Sequence, residues 1–82
     1  MAYEIPRPAK LLIAVTAKVV GKTETRDYKA GKKCTVQRDP MAPGNFIIYF
    51  ENNRSKGIAI IKKIPGEELR NTIEYTDGRP NL

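Results

Sequence analysis

The sequence predicts an all-β domain with one short helix, built as a small SH3-like or OB-like barrel or a curled antiparallel sheet of four or five strands. Three observations carry that expectation. Apolar and β-branched residues alternate with polar ones at a period of two. The alternating runs recur about every ten residues, the spacing of a small sandwich or barrel. Clusters of Pro, Gly, Asn and Asp separate them. A chain of 82 residues accommodates one such domain.

Ile5-Pro6-Arg7-Pro8 cannot be helical, because two prolines fix φ and push the residues before them toward extended conformations. Residues 1–9 therefore read as an extended arm, residues 10–76 as a single small β domain and residues 77–82 as a tail. From Lys10 to Val20 the odd positions Leu11, Ile13, Val15, Ala17 and Val19 are apolar, while the even ones change from Leu12 and Ala14 to Thr16 and Lys18. This predicts one long strand, covered on both faces early and half-exposed later. A short strand fits within Glu24–Lys29. Lys33–Arg38 alternates again, with Cys34 and Val36 sharing a face. Asp39-Pro40-Met41-Ala42-Pro43-Gly44 is turn chemistry.

Phe46–Phe50 is apolar on both faces, so it sits centrally or has one face covered by a ligand or another chain. It pairs with Gly57–Lys63 as a hairpin around the polar connection Glu51–Lys56. Ile64-Pro65-Gly66-Glu67-Glu68 opens a helix of one or two turns, with Pro65 and the glutamates suited to its positive end. Ile73-Glu74-Tyr75 closes the domain as a short strand.

Composition excludes most catalytic chemistry. Histidine is absent, so there is no imidazole base or ligand. The single cysteine, Cys34, rules out an internal disulfide framework or a thiolate zinc cluster within one chain. Gly21-Lys22-Thr23 matches the end of a phosphate-binding loop, but Thr16 stands where that loop needs its first glycine. The tripeptide reads as a turn. Asp39 and Asp77 precede turn residues, and Glu67 and Glu68 suit a helix start. The expectation is a non-enzyme without metal or cofactor. No apolar run approaches the roughly 18 residues of a membrane span. A free thiol and no visible export signal point to the cytoplasm.

Charge is the property that points outward. The chain carries 15 Lys+Arg against 9 Asp+Glu, a net +6. The excess is concentrated at +5 over residues 18–38 and +4 over residues 54–63. If those segments adjoin, eleven cations share a region with two carboxylates, the footprint expected of polyanion binding. The candidate contacts are Lys29, Lys32, Lys33, Arg38, Arg54, Lys56, Lys62 and Lys63, with Tyr28 and Tyr49 as stacking residues. The expected function is sequence-nonspecific binding of DNA or RNA through the phosphate backbone. The alternative is an accessory, regulatory or inhibitory module, viral or plasmid-encoded in character, that binds an acidic protein. A homodimer serves either function, because symmetry doubles a basic surface and covers an exposed apolar strand.

Overall fold

The computed structural model describes residues 5–53 and 55–78. Seven strands and one helix follow one another as β1 (Arg7–Leu11), β2 (Val15–Val19), β3 (Thr25–Tyr28), β4 (Lys33–Arg38), β5 (Asn45–Asn53), β6 (Ile58–Pro65), α1 (Gly66–Thr72) and β7 (Ile73–Tyr75). They form one sheet in the order β3-β2-β6-β5-β4-β1-β7, antiparallel at every step and not closed into a barrel. The all-β expectation with one short helix is met. The strand count is seven rather than four or five. Among the described residues, no helix is long and apolar enough to cross a membrane.

The connections require the sheet to curl. β1 and β2 lie four places apart, about 19 Å in a flat sheet. Yet only residues 12–14 join them, a link that reaches at most about 14 Å. The rings of Tyr28 on β3 and Phe50 on β5, three strands apart, stack with centroids 4.3 Å apart and planes within 9°. Only a sheet folded over on itself allows that. A register shift between Tyr49 and Glu51 on β5 adds the local bend and twist of a bulge.

Two sequence expectations change here, for the same reason. The long strand from Lys10 to Val20 is two strands running in the same sense, broken at Leu12-Ile13-Ala14. Its first half pairs with β4 and β7, and its second with β3 and β6. One straight strand cannot serve both halves of a curled sheet, so the chain bends where it changes partners. Leu12 anchors the bend by donating its backbone N–H to Thr72 O at 2.8 Å. Residues 7–9, expected in an arm, belong to β1. Pro8 is tolerated there because its carbonyl, and hence its missing N–H, faces the β7 side just past the last paired residues, Ala9 and Tyr75.

The inward face holds the core. Ala9, Leu11, Ala17, Val19, Cys34, Val36, Ile48, Phe50, Ile60, Ile64 and Ile73 meet there, joined by Leu69 from α1. This settles the doubly apolar strand: Phe46, Ile48 and Phe50 face inward, Ile47 and Tyr49 outward. The predicted helix begins at Gly66, after Pro65 in an extended conformation. Gly66 is there for a close approach. Its N–H donates to Gly44 O at 2.8 Å, and an added Cβ would stand 2.7 Å from that same oxygen. Gly66→Ala should therefore cost roughly 1–3 kcal/mol in urea unfolding, by forcing the 39–44 turn away from the helix. A cost below that range would mean the turn moves freely.

Cys34 is a buried core residue opposite Ala9. Burial pushes its thiol up to about 11, with Lys32 opposing weakly. The folded state thus holds a proton that the unfolded thiol releases above its ordinary value near 9. Stability should fall as pH rises from about 9 to about 11, by up to ~1.4 kcal/mol per unit. Cys34→Ala should remove that component of the pH profile. An unchanged slope would show that other groups set it.

Candidate nucleic-acid interface

The strands that bury one face leave the other open. Alternation places Thr16 and Lys18 of β2, Ala59, Ile61 and Lys63 of β6, Ile47 and Tyr49 of β5, and Lys33, Thr35 and Gln37 of β4 outward. The register aligns Thr35, Tyr49, Ile61 and Lys18 in one row across four strands. A second row holds Gln37, Ile47 and Lys63. Among the described residues these four strands carry one carboxylate, Glu51 near the end of β5, which is exposed and lines a depression beside Tyr49. The two acids on the edge strands are both engaged. Asp27 accepts a hydrogen bond from Thr16 Oγ1 at 2.7 Å, and Glu74 pairs with Lys10 at 3.5 Å. Among the described residues, Lys18, Lys33 and Lys63 form no ion pair.

Two hollows flank Tyr49. On one side Thr16, Lys18, Val20, Ile61 and Lys63 line a groove of about 440 Å³. On the other, Lys33, Thr35, Glu51 and Asn52 border a shallower depression that Tyr49 itself also lines. The Tyr49 hydroxyl accepts from Gln37 Nε2 at 3.2 Å, which restrains the ring. Lys33 lies directly opposite Lys10 on β1, a like-charged pair whose Lys10 is paired with Glu74.

The two basic segments do not merge as wholes, because β5 runs between β4 and β6. They are instead divided between the ends of the sheet. Lys33 begins β4 and Lys56 lies in the hairpin turn before β6, so these share one end, with Lys32 and Lys29 in the adjoining connection. Arg38 and Lys63 lie toward the other end. Arg38, opposite Phe46, is on the inward side, and Lys62, opposite Ile48, is half-buried there. Of the two neighbours, only Lys63 faces outward. Arg54 lies outside the described residues.

Tyr28 has one ring face against Phe50, and Lys32 Nζ stands 5.5 Å from its centroid. Burial raises its phenol above the ordinary value. Tyr49 is the aromatic on the outward face. Lys18, Thr16 and Gln37 were not among the sequence candidates. The alternation that begins at Val15 already put Thr16 and Lys18 opposite the apolar positions, but their pairing with β6 was invisible.

A clamp closes the ends of the described chain. Arg7 donates to both carboxylate oxygens of Asp77, at 2.8 and 2.9 Å, while its guanidinium stacks 3.6 Å from the Tyr75 ring centroid. The carboxylate holds Arg7 above its ordinary value. In a double-mutant cycle, Arg7→Gln and Asp77→Asn should each lower Tm, and together by less than the sum. Additive losses would show that the pair is not coupled.

The geometry has no counterpart to borrow a function from: no family model, curated protein or solved structure matches the chain.

Proposed function

We propose that the protein is a non-catalytic nucleic-acid-binding module that holds the phosphate backbone without reading sequence. The observation that carries this is the outward face of β2, β6, β5 and β4, where, among the described residues, three lysines without an ion pair surround an aromatic and a single carboxylate, Glu51, stands at one end. Lys29, Lys32 and Lys56 extend the positive field at the strand ends, which favours a polyanion over a small ligand. In this reading the open sheet is an OB-like or SH3-like barrel left unsealed between β3 and β7, with its outer strand faces available to a polymer. The reading also keeps the chain in the cytoplasm, where Cys34 stays reduced.

Fluorescence anisotropy against salt concentration tests the reading. With about five phosphates neutralised, log affinity should fall with log salt at a slope of roughly −3.5 for a single strand or −4.5 for a duplex. Absence of binding near about 50 mM salt would refute it. One observation favours the second reading, an interaction module for an acidic protein. Leu12 and Ile13 at the bend and Val20 beyond β2 are 43%, 50% and 52% exposed. Complexes that survive nuclease treatment would belong to that reading.

A further inference from the structure

Resting on the nucleic-acid reading, we infer that the ligand is single-stranded DNA, laid across the strands with one base stacked on Tyr49. It is selected on four grounds. The first is the placement of the ring. Tyr49 lies between the two hollows, with Lys18 and Lys63 lining one and Lys33, beside Glu51, the other. Lys33 and Lys63 sit two strands and four residues apart, roughly 16 Å. A chain crossing from one hollow to the other meets phosphate partners on both sides of an aromatic, the arrangement that holds unpaired nucleotides.

The second is the apolar floor. Ile61, half-buried, adjoins Tyr49 across its row, while Ile47 along the strand is already covered. The phosphates of a duplex gain nothing from isoleucine, whereas an unstacked base buries its face against it. Third, this face presents no helix to a groove. The one helix among the described residues places Leu69 in the inward core, so this face offers no helix to the major groove of a duplex. Fourth, a sugar lying over Ile61 would set a ribose 2′-hydroxyl against aliphatic carbon, stripped of water and without a hydrogen-bond partner. Deoxyribose carries no such group. The Gln37 bond to the Tyr49 hydroxyl fixes the ring before the ligand arrives, which lowers the entropic cost of binding.

Anisotropy with a labelled mixed-sequence DNA of about 12 nucleotides, its duplex and the RNA of the same sequence tests this at about 50 mM salt. Tyr49→Leu, Tyr49→Phe and Lys63→Gln are compared with the parent, each checked for a cooperative melt. Single-stranded DNA should bind about tenfold more tightly than the duplex and severalfold more tightly than RNA. Tyr49→Leu should weaken it about tenfold, and Tyr49→Phe by much less, because the ring is retained. Should Tyr49→Leu fail to melt cooperatively, the single-strand preference of the parent and the tolerance of Tyr49→Phe decide the matter. Duplex binding as tight as single-strand binding, with Lys63→Gln still weakening it, would overturn the inference and leave the backbone-binding function standing. RNA binding equal to or tighter than DNA would overturn the DNA assignment. No binding of any of the three nucleic acids would remove both.

Discussion

Reversing the charge of Lys18 and Lys63 together should weaken nucleic-acid binding about a hundredfold at about 50 mM salt, with no loss of folding. A charge-assisted contact contributes roughly 1.5 kcal/mol or more, about tenfold in affinity for each lysine. Both side chains lie on the outward face and form no ion pair among the described residues, so their replacement breaks no such contact there. The salt slope should become shallower by about one for each lysine lost. The matched control is reversal at Arg26, which is exposed on edge strand β3 and already bonded to Glu24 at 2.9 Å. Its effect should be much smaller. Equal losses from Lys18/Lys63 and Arg26 would show that net charge, rather than the outward face, governs affinity.

The largest stability effect is expected at Ile48. It is fully buried on β5, the strand between β4 and β6, and it faces Val36 and the inward core. Ile48→Ala should cost roughly 2–5 kcal/mol, the lost transfer energy plus the cavity left behind. A domain of this size holds little more than that in reserve, so the variant should be largely unfolded or should melt far below its parent. Ile47→Ala supplies the contrast. Ile47 is also buried, at 7% exposure, but it lies on the outward face under its polar neighbours and outside the core cluster. Solvent and the side chains of Gln37 and Lys63 can close over the gap, and the loss should be clearly smaller. Comparable losses in urea unfolding would mean that the outward face is a second core and not an open surface.

The elements that local patterning defines were legible. Alternation located β4 over Lys33–Arg38 and β7 over Ile73–Tyr75 at their observed bounds. The hairpin of β5 and β6 and the proline-led helix were also visible. Alternation put Cys34 and Val36 on one face, and both are buried there. Asp39 read as a turn residue, and its carboxylate accepts from Met41 N at 2.9 Å. What could not be read was partnership between distant segments. The Lys10–Val20 run keeps its period of two through the bend, because Ile13 continues the apolar set although it is half-exposed. Nothing local says that the two halves pair with different strands. Arg7 and Asp77, 70 residues apart, looked like an arm and a turn until β1 and β7 brought them together.

The same limit governed the candidate site. Basic segments are contiguous in sequence, but in a strand neighbouring residues face opposite ways, so Lys62 and Lys63 part company. An antiparallel pair of strands also sends the two ends of each segment to opposite ends of the sheet. Lys18 became a leading candidate only through its register with Ile61. Tyr28 and Tyr49 were equivalent as exposed phenols in the sequence. The fold-over of the sheet separates them by stacking the first on Phe50.

The most direct test of the outward face as the binding surface is an amide chemical-shift titration of the intact protein with the single-stranded DNA oligonucleotide. Saturable shifts should concentrate at Thr16–Lys18, Ile47–Tyr49 and Ile61–Lys63, with Lys33 and Thr35 following. The amides of α1 should stay still. Shifts centred on α1 or on the Leu12–Ala14 bend, with the β5 and β6 amides unmoved, would contradict the account.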